Sequence, residues 1–221
     1  MPSLPLPLAL TARLAPVAVL ATAGWALSSP SDTTSAAGPE ATATASGTPT
    51  ASAAATQAAT KTYATAPDPC TGLAKKTITS LVPGAKTAGK EIASTDADVR
   101  RTCSWNALKG YDYRWLDVSY EVTESDEAAE EAYEERLTDK SGGGAVEGLG
   151  DAAYSVVNLT TEDKQQTREG TVVVRTANAL VVITYNGSDF ESKKAPDTDT
   201  INKGAIKAAK EALASLADGQ G

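Results

Sequence analysis

The 221-residue sequence predicts an α+β domain: a mainly antiparallel, twisted sheet of five to six strands with helices packed on one face. Segments with apolar residues at every second position come in adjacent pairs, as in β-hairpins. Segments with apolar residues at helical spacing occur singly between those pairs. The chain also has only two cysteines, Cys70 and Cys103, which allows one disulfide. The predicted order is helix, two or three strands, helix, three strands, helix.

Three segments predict helices. The first begins at Asp68-Pro69, where Asp can cap and Pro can occupy the first helical position, and ends at Pro83-Gly84. The second begins at Ser125 with acidic residues in its first turns and ends at the glycines 142–144. Asp199 or Thr200 caps the third, whose apolar stripe is Ile206, Ala209, Leu213 and Leu216.

Five segments predict strands: residues 99–107, 111–122, 152–159, 171–176 and 179–185. A polar loop over 160–170 is expected to join the third to the fourth. The second strand alternates, with one face carrying Leu116, Val118, Tyr120 and Val122 and the other Tyr111, Tyr113 and Trp115. Large side chains on both faces predict that this end of the sheet is covered on both sides or lines a groove.

Residues 1–27 predict a signal peptide or a short membrane anchor. The apolar run 14–27 is shorter than the roughly 20 residues of a spanning helix, and Ala21 and Ala23 form a cleavable A-x-A pattern before Gly24. The first twelve residues carry no Lys or Arg, which leaves the anchor open. No cysteine lies near Ala23 to receive a lipid.

Residues 28–69 predict a disordered linker, and residues 70–221 a globular domain. In the linker, 36 of 42 residues are Ala, Ser, Thr, Pro or Gly, which leaves little apolar surface to offset the entropy of ordering. The linker is either a tether that holds the domain away from a membrane or a passive spacer.

An even pair of cysteines in an exported chain favours a structural Cys70–Cys103 disulfide. The alternative, a redox site, normally has C-x-x-C spacing near a helix start.

The composition excludes several chemistries. Without histidine there is no Ser-His-Asp triad and no histidine-ligated metal site, and two cysteines are too few for a cysteine-ligated cluster. The net charge of -8 argues against nucleic-acid binding. The segment Gly84 to Glu91 resembles a phosphate loop but ends in Glu91, where a magnesium-binding hydroxyl is required. We therefore expect no cofactor and no metal.

Two side-chain groups remain as candidates. The aromatic residues Trp105, Tyr111, Tyr113 and Trp115 form either ordinary core or a stacking surface for a ligand. Acids such as Asp117 and Glu121 could serve a carboxylate-based hydrolase, which needs two carboxylates about 5–9 Å apart in a cleft.

The chain resembles a family of actinobacterial secreted proteins and envelope lipoproteins built on a domain of unknown function. The resemblance lies in Asp68-Pro69-Cys70, Cys103-Ser104-Trp105, the segment Gly148 to Ala153, and the closing hairpin and helix. Their order and spacing cover nearly all of residues 68–217. The pattern is also similar to the extracellular sensor domains of some mycobacterial receptor kinases. The resemblance implies an exported, non-catalytic domain with a Cys70–Cys103 bridge.

The sequence therefore predicts a secreted or extracytoplasmic domain, membrane-anchored if residues 1–27 are retained as a tether. We expect it to bind an extracellular ligand or an envelope protein without catalysis. The alternatives are a carrier of an apolar molecule held between sheet and helices, and a carboxylate-based hydrolase.

Overall fold

A computed structural model describes residues 61–138 and 142–219. The predicted signal or anchor, residues 1–27, and residues 28–60 of the predicted linker lie outside this range. Tyr63 and Ala66, within the predicted linker, are buried in the core, and Ala66 N donates to Asp98 O at 2.7 Å. Packing of the domain therefore begins before Cys70.

The described residues form three helices and one seven-stranded sheet. The helices are α1 (Lys75–Leu81), α2 (Asp126–Thr138) and α3 (Thr198–Asp218). The strands are β1 (Lys90–Ile92), β2 (Arg100–Lys109), β3 (Asp112–Val122), β4 (Gly144–Ala145), β5 (Ala152–Glu162), β6 (Gln165–Thr176) and β7 (Ala179–Asp189). Their order in the sheet is β1-β2-β3-β7-β6-β5-β4, and every neighbouring pair is antiparallel. The α+β class is confirmed.

The predicted number of five to six strands is wrong, because two short edge strands were missed. β1 has three residues and β4 has two, all of them exposed, so neither shows the apolar alternation that marks a strand.

The predicted polar loop over 160–170 is also wrong. β5 and β6 continue through it to a two-residue turn at Asp163-Lys164, where φ is 49° and 68°. Positive φ at both positions is the geometry of a tight hairpin turn whose twist matches the strands.

Helices lie on both faces of the sheet, so the expectation of helices on one face is wrong for α2. Tyr120 of β3 donates its hydroxyl to Ala212 O of α3 at 2.9 Å. Its neighbour Glu121 points to the opposite face and pairs with Arg136 of α2. We call the face under α3 the core face and the other the outer face.

The core lies between the core face and helices α1 and α3. Six α3 residues are fully buried there: Ile201, Ala205, Ala208, Ala209, Ala212 and Leu216. Two glycines allow close approach: a Cβ at Gly170 would lie 2.9 Å from Ile201, and one at Gly204 would lie 2.6 Å from Tyr185. The helix therefore packs directly on the strands.

The predicted first helix divides into two parts. Pro69–Thr71 is a 3-10 turn capped by Asp68, whose Oδ1 accepts from Cys70 N at 2.8 Å, and α1 begins only at Lys75. The predicted disulfide is confirmed: Cys70 in this turn is bonded to Cys103 of β2. The bond fastens the turn to the core face of the sheet.

Candidate functional site

The outer face is covered at one end and open at the other. α2 contacts β6 and β7, and Ala129 of this helix is fully buried. Away from α2, the outer face of β2 and β3 presents four cross-strand pairs. From the open end toward α2 they are Leu108 with Tyr113, Asn106 with Trp115, Ser104 with Asp117, and Thr102 with Ser119. This uncovered surface is the candidate site.

Aromatic side chains gather at its open end. The rings of Tyr113 and Trp115 meet edge to face with centroids 6.4 Å apart. Phe190, directly after β7, lies with its ring centroid 5.9 Å from that of Tyr113 and is 47% exposed. We call Tyr113, Trp115 and Phe190 the aromatic patch. An exposed ring in contact with half-buried rings is more typical of a binding surface than of a solvated face.

Next to the patch, a groove runs along β2 between β1 and β3. One depression of about 420 Å³ is lined by residues that include Ser104, Asn106 and Trp115. A second of about 430 Å³ is lined by Arg100, Thr102 and Asp117 among others. Both include Ile92 and Ala93 in their walls, so they lie side by side along β2, and we call the two together the groove. From Asn106 to Arg100 it spans about 20 Å of strand.

Polar side chains line the floor of the groove. Trp115 Nε1 donates to Asp117 Oδ1 at 2.7 Å, which fixes the orientation of the indole ring. Thr102 Oγ1 donates to Ser119 Oγ at 2.9 Å. The Ser104 hydroxyl between these pairs is buried and has no hydrogen-bond partner among the described residues. A buried hydroxyl without a partner is unfavourable, and such groups in a native structure call for an explanation.

An ion-pair network closes the groove at the α2 end. Glu121 Oε2 accepts from Arg136 of α2, and its Oε1 lies 3.3 Å from Arg100 Nε without hydrogen-bond geometry. The side chain of Glu121 is only 13% exposed. The network connects β2, β3 and α2, so the covered and open parts of the outer face are held together.

The hydroxyl of Tyr113 is affected by burial and by the charge of Asp117. Burial raises the pKa of the Tyr113 hydroxyl, and the negative charge of Asp117 raises it further. At neutral pH the patch therefore presents Tyr113 as a neutral hydroxyl, next to an indole that is held by a carboxylate.

The structure brings together some of the predicted aromatic residues. Tyr113 and Trp115 lie together in the patch, and Tyr111 lies in the β2–β3 turn, exposed, with its carbonyl accepting from Phe190 N at 2.9 Å. Trp105 is on the core face, 1% exposed, with Nε1 donating to Thr87 O at 3.2 Å. It is a core residue and takes no part in the patch.

Sequence reasoning missed several residues of the site, among them Phe190, Ser104 and Asn106. Phe190 reaches the patch only because β7 pairs with β3, which no local pattern indicates. Ser104 and Asn106 were visible as the polar positions that alternate with Cys103 and Trp105, but polar outward residues are usual in half-buried strands.

The described part of the chain contains neither a cluster of potential metal ligands nor a helix that could span a membrane. Across residues 61–138 and 142–219, no three Asp, Glu or Cys side chains lie close enough to hold a metal ion together. No helix within the same residues is long and apolar enough to cross a membrane.

Comparison with known proteins indicates no family for this chain. No protein-family model matches the sequence, and no curated protein matches it. A crystal structure from Bacteroides thetaiotaomicron VPI-5482 is similar over 53% of this chain and 46% of its own, with 10% sequence identity and a TM-score of 0.33.

Proposed function

We propose that this protein is an exported, non-catalytic domain of the cell envelope that binds its ligand or partner on the outer face, at the aromatic patch and the groove. One observation carries the proposal: Tyr113, Trp115 and Phe190 meet at the end of the outer face that α2 leaves open. The Cys70–Cys103 disulfide supports export, because such bonds persist mainly outside reducing compartments. In this proposal residues 1–27 serve as export signal or membrane tether.

The geometry favours this function over a carboxylate-based hydrolase and over a carrier of an apolar molecule. Asp117 and Glu121 are four residues apart on one strand, which separates their Cα atoms by about 14 Å. Asp117 accepts a hydrogen bond from the Trp115 indole, and Glu121 accepts one from Arg136.

A carrier would be expected to hold its apolar molecule in the layer beneath α3, but there the helix approaches the strands closely at Gly170 and Gly204. The open surface lies on the outer face instead.

Sedimentation of the protein with purified cell-envelope fragments tests the proposal. The wild-type protein is expected to co-sediment, and Phe190→Ala is expected to reduce the bound fraction severalfold. Leu159→Ala is a matched control, because Leu159 is 48% exposed and lies on β5, outside the patch. Equal binding by the two variants, or no binding by the wild-type protein, would contradict the proposal.

A further inference from the structure

The polar floor of the groove indicates the chemistry of its ligand. Most backbone N–H and C=O groups of β2 and β3 are used in the sheet, although β1 covers only residues 102–104 of the other edge of β2, so recognition of a ligand on this face depends mainly on side chains. Those side chains are hydroxyls of Ser104, Thr102 and Ser119, the amide of Asn106 and the carboxylate of Asp117. Together they offer both donors and acceptors around one aromatic ring.

Charges in the groove are balanced. The two cross-strand neighbours of Ser104 are Lys90 on β1 and Asp117 on β3, which carry opposite charges. At the other end Arg100 lies beside Glu121. A strongly charged ligand therefore finds no surplus of opposite charge, and a neutral polar ligand is favoured.

The Ser104 hydroxyl is the observation that points to a ligand. Ser104 is 7% exposed and lines the depression next to Trp115, yet its hydroxyl has no partner within residues 61–138 and 142–219. A hydroxyl can donate one hydrogen bond and accept two. A rotation of the Ser104 side chain toward the groove would let a ligand hydroxyl satisfy it, whereas an apolar ligand would leave it unpaired.

From these features we propose that the groove binds a neutral oligosaccharide, with one sugar ring stacked on Trp115 and its hydroxyls bonded to Ser104, Asn106 and Asp117. A sugar ring has a C–H face that packs on an indole and a rim of hydroxyls that matches the polar floor. The groove length of about 20 Å accommodates more than one ring. This inference rests on the proposed function and adds the class of ligand.

Nuclear magnetic resonance of the ¹⁵N-labelled full chain tests the inference. Chitotetraose, cellotetraose and maltotetraose are each added up to about 10 mM, which detects even millimolar dissociation constants. At least one is expected to shift the Trp115 indole N–H signal in a saturable manner while that of Trp105 stays in place. No shift at Trp115 with any of the three, or equal shifts at Trp105, overturns the inference.

A serine variant then tests the contact itself. Ser104→Ala removes an unpaired buried hydroxyl, so the variant should be as stable as the wild-type protein or more stable, and should bind the sugar about tenfold more weakly. Ser155 is a matched control: it is equally buried, lies outside the groove and donates to Asn202 Oδ1 at 2.5 Å. Ser155→Ala should lower stability and leave sugar affinity unchanged. Undiminished affinity in Ser104→Ala would overturn the inference.

The two proposals can fail separately. If Phe190→Ala loses envelope binding but no tetrasaccharide moves the Trp115 signal, the outer face is a binding surface and the sugar inference is wrong. If envelope binding is also absent, the proposed function is wrong too.

Discussion

Tyr120 joins β3 to α3. Its ring is fully buried, its hydroxyl donates to Ala212 O, and burial raises its pKa to about 12. An exposed tyrosine in the unfolded chain ionises near pH 10. The contribution of Tyr120 to stability is therefore complete below about pH 10 and is lost as the pH rises toward about 12.

This predicts a steep alkaline decline in stability. For the wild-type protein the free energy of unfolding should fall by up to about 1.4 kcal/mol per pH unit from this group between about pH 10 and 12. Tyr120→Phe should lose about 1 kcal/mol at pH 8 with the hydrogen bond, then decline less steeply. Urea unfolding of both proteins at several pH values measures the difference. Since Tyr185 and the other tyrosines remain in both, parallel curves would refute the assignment.

The two-residue turn of the β5–β6 hairpin has a backbone conformation that is unfavourable for residues with a Cβ. Lys164 has φ of 68°, a left-handed conformation that costs a residue with a Cβ roughly 1–2 kcal/mol. Type I′ turns prefer glycine at this second position. The turn sequence Glu162-Asp163-Lys164-Gln165 lacks this glycine, so the sequence does not signal a tight turn and predicts a loop over residues 160–170 instead.

Replacing Lys164 with glycine should stabilise the protein. Lys164→Gly relieves the backbone strain but adds flexibility to the unfolded chain, leaving a net gain of about 0.5–1 kcal/mol. Thermal unfolding should show a raised midpoint. Lys164→Ala, which also removes the charge but keeps the Cβ, should show no such gain. If the alanine variant is stabilised equally, side-chain charge and not backbone conformation is responsible.

The elements that could be predicted are those with strong local signals. β3 was predicted with its faces correct, because large residues alternate over its whole length, and α3 was predicted from its apolar stripe. Edge strands β1 and β4 are too short to have a pattern. α2 buries only Ala129, so its sequence does not show which face of the sheet it covers. The aromatic patch depends on β3–β7 pairing between distant residues, and periodicity within one segment contains no information on that pairing.

On the scale of the whole molecule, the disulfide is the main constraint on the unfolded chain. It joins residues 33 apart, which on the chain-entropy model stabilises the fold by about 3–4 kcal/mol. A variant with Cys70→Ser and Cys103→Ala should lose about that much free energy of unfolding, measured in urea. Alanine is used at position 103 because this side chain is fully buried.

Reducing agent provides the control for the disulfide prediction. Dithiothreitol should lower the urea midpoint of the wild-type protein toward that of the variant and should leave the variant unchanged. A wild-type midpoint that is the same in oxidised and fully reduced protein would show that the bond contributes nothing to stability.

The position of the disulfide also affects recognition. The covalent loop between Cys70 and Cys103 contains β1, and Glu91 of β1 lies opposite Cys103 in the sheet. β1 provides one wall of the groove. The bond restricts β1 when the domain folds, so the entropy cost of ordering β1 does not fall on ligand binding. In the proposed function a ligand therefore meets a preorganised surface. In the same proposed function, oxidation prepares the domain to bind, and chains that remain reduced should associate more weakly even while folded.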